Sequence, residues 1–184
     1  MSAARDMLDF VDRFEPGSRA RVLARFPAES LRALTDSSRT DWLPLEHDHH
    51  VVDGICEVLG PERAVAAWRA SVPDLVDKPL LRSFVSGMLR LVGRDPVRLA
   101  GILAKGWPLV YRDCCVVTVT RGEGDSAVVA LVDLAPELRR WPNYLLSFRG
   151  ALAGFAVVAG LHPVVEVETT AGARGLRATY RAAR

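Results

Sequence analysis

The chain has 184 residues, 49% of them hydrophobic and 25% charged, with a formal net charge of +2. That length suits a single domain, 1–184, with its own hydrophobic core, and the composition excludes a disordered chain. A charge so close to neutral gives no global electrostatic case for binding nucleic acid. The first segment, Ala3–Phe14, sets Met7, Leu8, Val11 and Phe14 at helical spacing. It carries acids every few residues and lacks the apolar run and cleavage site of a signal peptide. Pro16-Gly17 ends it, and Ser18 is placed to cap a second helix running to Phe26. Pro27 suits the start of a third helix, with Leu31 and Leu34 as its inward stripe.

Asp36-Ser37-Ser38 breaks that helix, and Trp42-Leu43-Pro44-Leu45 follows as an extended apolar anchor, because Pro44 disfavours a helical residue before it. A fourth helix is expected from Glu46 to Leu59, with Val51, Val52, Ile55, Val58 and Leu59 on one face and Gly60-Pro61 as its stop. Pro61–Val72 reads as a short helix with Val65 and Trp68 inward. The stretch from Asp74 to Val92 reads as helical, bent near Pro79, and apolar over most of its circumference in its second half. Asp95-Pro96 is a cap-and-start pair for a helix ending near Lys105-Gly106.

After Gly106 the period changes from helical to alternating. Tyr111–Thr120 and Ser126–Val132 are rich in β-branched residues, and Arg121-Gly-Glu-Gly-Asp125 between them is a hairpin turn. The expected strand core is Cys114–Thr120. Trp141–Gly160 is a long helix, which should bury Leu145, Leu152, Phe155 and Val158 against the sheet. Val164–Thr169 and Leu176–Tyr180 form a second strand pair. The fold class is therefore α+β: a mostly helical portion, 1–106, then strand–strand–helix–strand–strand over 107–184. The strands make a four-stranded antiparallel sheet with the long helix packed on it. The apolar run Tyr144–Leu161 has Arg149 in its interior and falls short of the roughly 20 residues a bilayer demands, so no membrane span is expected.

This order of elements resembles the superfamily of haem–nitric-oxide-binding domains, four-vinyl-reductase-type ligand-binding domains and Bet3-like subunits of the transport complex TRAPP. More closely it is similar to an uncharacterised family of myxobacterial paralogues. The residues that carry the resemblance are Asp41-Trp42-Leu43-Pro44-Leu45, the helix Tyr144–Gly160 with the strand Val164–Thr169 after it, and the final Gly175–Tyr180 strand. The resemblance implies ligand binding, scaffolding or dimerisation. In relatives, the space between helices and sheet holds haem, a fatty acyl chain or a small apolar ligand. In the haem-binding branch a proximal His precedes a Tyr-x-Ser-x-Arg motif, and this chain has neither a His within Val97–Lys105 nor that motif anywhere. No cofactor is expected, haem included. His162, before Pro163, is read as a helix-end residue capping carbonyls.

Other candidate chemistry lies in four places. Glu46, His47 and His50 could share a helix face and are weak candidates for a metal, although acids belong at a helix start in any case. Cys114 and Cys115 are expected on a strand, facing opposite ways, with one of them in the core. The sparse, odd set of three cysteines argues against a disulfide framework and for a reducing cytoplasm. Arg174–Arg184 reads as an amphipathic edge strand and not as a nucleic-acid patch. Gly150-x-x-x-Gly154 is expected to let the long helix pack tightly on the sheet, or to leave room for a ligand.

The functional expectation is a bacterial, cytoplasmic sensor or adaptor domain that dimerises and binds a small apolar ligand between helices and sheet. The ligand would touch Phe84, Met88, Leu152 and Phe155. The alternative is an interaction scaffold with a filled core. An enzyme ranks third, since no acid–base or nucleophile constellation is visible; two perturbed titratable groups converging in a cavity would favour it. Surplus apolar bulk at Phe10, Phe14, Phe26, Leu31, Trp42 and Trp68 points to a homodimer or protein partner through the helical portion.

Overall fold

The structure, a computed structural model, describes residues 3–38, 41–77, 82, 85, 87, 95–170 and 173–182. Among these residues the helical portion comprises α1 (Ala3–Phe14), α2 (Ser18–Leu23), α3 (Ala28–Asp36), α4 (Leu45–Leu59), α5 (Pro61–Val76) and α6 (Pro96–Gly106). The strands are β1 (Val116–Arg121), β2 (Ser126–Val132), β3 (Leu161–Thr170) and β4 (Ala173–Ala182), and α7 (Pro142–Val158) lies between the two hairpins. The sheet is antiparallel throughout, in the order β1-β2-β4-β3. The architecture is the α+β arrangement that the change of period announces.

Local chemistry explains most boundaries. Asp95 caps α6 by accepting the N–H groups of Val97 (2.8 Å) and Arg98 (3.1 Å). At α2 the expected Ser18 cap is replaced by a different device. Gly17 occupies the cap position, Ser18 is buried inside the first turn, and the Asp12 carboxylate accepts from the Gly17 and Arg19 N–H groups. That helix closes at Leu23, three residues before the expected end. The fifth helix runs on to Val76, past Pro73. Helix α7 ends where Gly160, at φ +69°, turns the chain into β3. His162 is therefore an exposed strand residue and not a helix cap. Pro163, beside it, is tolerated because β3 is an edge strand.

The inner sheet face is built from cross-strand pairs of buried residues. Ala127 pairs with Tyr180, Val129 with Ala178 and Leu131 with Leu176, all buried. The Tyr180 hydroxyl donates to the Leu152 carbonyl at 2.9 Å, tying β4 to α7. Strand β4 lies between β2 and β3, so the arginine-rich tail is an inner strand and not the expected edge; Arg177 and Arg181 point to its outer face.

Helix α7 is apolar around most of its surface because it is covered on two sides, by the sheet and by α5. The two glycines serve the second contact. A Cβ on Gly150 would stand 2.5 Å from the Trp68 Cβ, and one on Gly154 would stand 2.5 Å from the Arg69 carbonyl oxygen. The small-residue spacing therefore seats α7 on α5, where packing on the sheet was expected. Of the four residues expected to be buried on this helix, Leu145 and Leu152 are buried, whereas Phe155 and Val158 are half-buried.

The expected strand over Tyr111–Cys115 does not form. After α6 the chain makes a 3-10 turn, Trp107–Leu109, and Asp113 adopts φ +51°, which swings the backbone out of an extended path. Pairing begins only at Val116, opposite Val132.

Candidate ligand-binding cleft

Helix α4 opens after Pro44 with Glu46 and Asp48 in its first turn, where carboxylates favour the positive end of the helix dipole. Asp48 then turns inward. The Tyr144 hydroxyl, from the first turn of α7, donates to its carboxylate. Among the described residues Tyr144 is the one side chain that bonds Asp48, although a carboxylate offers about four acceptor sites.

Two cavities flank this pair. One, of about 640 Å³, is bounded chiefly by α1, α4 and α5, including Met7, Phe10, Val52 and Trp68. The other, of about 510 Å³, is bounded by the Trp42–Leu45 anchor, Arg112 and Cys114. They share Ala4, Asp48, Val110, Tyr111 and Tyr144 as a common wall. Behind it stands an aromatic cluster. Trp107, Tyr111 and Tyr144 each meet Phe148, with ring centroids 5.2, 5.0 and 5.3 Å away, in edge-to-face contacts.

Burial sets the electrostatics. Asp48 keeps part of its surface open to the cavities, yet protein atoms crowd the carboxyl closely enough that desolvation pushes its pKa above the ordinary range. The Tyr144 bond pulls it partly back. Burial, with the Asp48 charge nearby, drives both the Tyr111 and Tyr144 hydroxyls well above the usual phenol range. The common wall therefore sets neutral phenols beside the Asp48 carboxyl, which gains from any further hydrogen-bond donor, while other acids, Asp6, Asp9, Asp74 and Asp77 among them, line the cavities around it.

The residues expected from sequence are distributed differently. Phe84 and Met88 lie outside the described residues. Leu152, on α7, is fully buried, and the Phe155 ring meets that of Tyr180 at a tilt with centroids 6.3 Å apart; neither residue borders these two cavities. His47 and His50 do come together, but on a hydroxyl. Ser30 Oγ, 1% exposed, lies 3.0 Å from the Nδ1 atom of each. Glu46 is exposed. Among the described residues no three His, Cys, Asp or Glu side chains converge to hold a metal ion. His49 stacks flat on Trp141 at 4.0 Å, and burial together with the His50 charge lowers its pKa. Asp48, Tyr111 and Tyr144 escaped the sequence reading. Asp48 sits in a run of polar residues at a helix start, and no local pattern separates it from its solvated neighbours.

No family model matches the chain, and no curated protein matches it. Solved structures do. An unliganded iron(II) H-NOX protein from K. algicida is 9% identical and superimposes with a TM-score of 0.62, covering 98% of this chain and 95% of that one. An oxygen-binding H-NOX domain related to soluble guanylate cyclases is 12% identical, with a TM-score of 0.58 over 96% of this chain and 90% of that one. A T. tengcongensis H-NOX variant is 13% identical, with a TM-score of 0.56 over 97% and 94%. The chain therefore has the H-NOX fold. Among the described residues no helix is long and apolar enough to cross a membrane.

Another of these neighbours was studied for the redox potential of its haem, which stands in tension with the expectation of no cofactor. Among the described residues no imidazole borders either cavity. Haem requires an axial ligand, commonly an imidazole directed into an apolar pocket. Of the four histidines, two are tied to Ser30, one is stacked on Trp141 and one is exposed at the start of β3. Helix α6 carries none. Trp107, Tyr111, Tyr144 and Phe148 pack against one another, and Tyr111 and Tyr144 of this cluster line both cavities.

Proposed function

We propose that this chain is a sensor domain on the H-NOX fold that binds a small, largely apolar molecule directly, without haem. The carrying observation is the Asp48–Tyr144 pair, set in the common wall of two cavities whose linings combine apolar side chains with charged ones, Asp6, Asp9, Arg13, Asp74 and Asp77 at the first and Glu46, Arg112, Asp113 and Glu137 at the second. A concave site that joins apolar side chains to convergent polar groups is the usual form of a small-molecule pocket. The ligand class follows from the carboxyl. A hydroxyl or amine on the ligand would supply Asp48 with a second donor and relieve its desolvation. The H-NOX neighbours supply the sensor reading by analogy of fold alone.

Two measurements test this together. Native mass spectrometry of the purified chain shows whether a small molecule is retained. Titration with 2-naphthol, an apolar ring bearing one donor, is followed by tryptophan fluorescence. Saturable one-to-one binding is expected, weakened about tenfold in Asp48→Asn, equivalent to about 1.4 kcal/mol. A chain that retains nothing and takes no naphthol is better described as a scaffold with a filled core.

A second reading, general acid–base catalysis, is favoured by one observation: titratable groups with shifted pKa values converge at Asp48, Tyr111 and Tyr144. The tyrosine shifts run away from the reactive phenolate, which favours binding. Turnover of a bound ligand, abolished in Asp48→Asn, would reverse that order.

Association belongs to the same proposal. Trp68 is in the core, but Phe14, Leu31 and Trp42 are 37%, 38% and 37% exposed on the helical portion, and they support a homodimer or a protein partner there.

A further inference from the structure

Cys114 and Cys115 do not face opposite ways. The bend at Asp113 removes them from β1 and brings their sulfurs to 3.6 Å. Cys114 is 1% exposed but borders the 510 Å³ cavity, and Cys115 is half-buried. The Cys114 carbonyl accepts the Ala135 N–H at 2.8 Å, so the bend is anchored to the segment after β2. The buried indole N–H of Trp107 approaches both sulfurs without closing a hydrogen bond of good geometry.

We propose that Cys114 and Cys115 form a peroxide-sensitive dithiol switch at the wall of the cleft, closing reversibly to a disulfide between adjacent residues. The sulfurs are unequal. The hydrogen bond between them lowers the pKa of Cys114 and, with burial, raises that of Cys115. Of the two, Cys114 is the one that borders the cavity, which makes it the attacking sulfur and Cys115 the resolving thiol, the direction the pKa shifts also favour. Hydrogen peroxide, little larger than water, reaches Cys114 through the cavity. The Cys114 sulfur attacks one peroxide oxygen, the O–O bond breaks, and hydroxide leaves to become water with the thiol proton. Cys114 is now a sulfenic acid. Cys115 gives up its proton and attacks the Cys114 sulfur, the S–O bond breaks, and the departing hydroxide takes that proton as a second water. Two thiols are oxidised by two electrons, and one peroxide is reduced to two waters.

Adjacent Cα atoms are about 3.8 Å apart, closer than the roughly 4.4 Å minimum usual for disulfides. The closed form is strained and readily reduced, which suits a switch and not a staple. Closure would reshape the bend beside Tyr111 and Arg112, and with it the cavity wall.

The test treats the folded chain with stoichiometric hydrogen peroxide and reads intact mass and peptide map. Expected is the loss of two hydrogens on the peptide holding Cys114 and Cys115, restored by a thiol reductant. Cys115→Ser should instead accumulate a sulfenic acid at Cys114, trapped by dimedone, and Cys114→Ser should lose the reaction. Cys56, buried and pushed up to about 12, should stay reduced throughout. Gain of oxygen without loss of hydrogen in the wild type, a disulfide to Cys56 or between chains, or no reaction would each overturn the proposal. Unchanged reactivity in Cys114→Ser would also overturn it. The wild-type mass decides the matter even if a variant fails to fold.

Discussion

Tyr144 and Asp48 lie 96 residues apart in the chain and meet in one hydrogen bond, the hydroxyl of α7 donating to the carboxylate of α4. The bond joins the helical portion to the helix that lies on the sheet. Removing its donor in Tyr144→Phe leaves Asp48 desolvated and unpaired by any described side chain. The expected cost at neutral pH is about 1–3 kcal/mol in chemical denaturation.

Asp48 also predicts a pH dependence. Its folded pKa is raised, so the folded state holds the proton more tightly than the unfolded chain. The stability this contributes is complete below the unfolded carboxyl pKa and is lost as pH rises through the folded one. Asp48→Asn, which cannot ionise, should therefore gain stability relative to wild type as pH rises from the acid range to neutrality. Denaturation midpoints measured across that range check the sign; a gap that closes with rising pH would contradict it.

Asp95 behaves oppositely. The N–H groups of Arg98 and Val97 hold its carboxyl below the ordinary range. Its contribution is present above the unfolded pKa and lost as pH falls through the folded one. Asp95→Ala should lower Tm at neutral pH, and the difference should shrink in acid.

Gly154→Ala should destabilise by about 1–3 kcal/mol, because the added methyl meets the Arg69 carbonyl oxygen, which cannot rotate away. Gly150→Ala should act in the same direction through Trp68 and the Val65 carbonyl. Gly101→Ala is the control. It lies inside α6 with nothing within 4 Å of the new Cβ, so a helix-propensity gain of up to about 1 kcal/mol is expected. Urea midpoints of the three variants separate packing from propensity.

If the helical portion associates, light scattering at micromolar concentration should report a mass above one chain. Leu31→Asp, on an exposed position of α3, should return it to the monomer without loss of fold. A monomeric wild type would leave the ligand-binding reading without the dimer.

Periodicity and turn chemistry, both local, were enough to place the elements. The limits of α1, the strand Ser126–Val132, the Asp95 cap and the stop at Gly60-Pro61 were all legible, because each depends on residues within a few positions of one another. Sheet order, the inner position of β4 and the seating of Gly150 and Gly154 on α5 depend on which distant surface covers a face, and only the assembled chain decides that. The cleft belongs to the same class. Asp48 is one polar residue among five in Glu46–His50, and becomes distinct only when α7 brings Tyr144 to it and burial removes its water. Cys114 and Cys115 show the limit most directly. Alternation along a strand would part the two sulfurs, but the left-handed φ at Asp113 delays the strand to Val116 and brings them together.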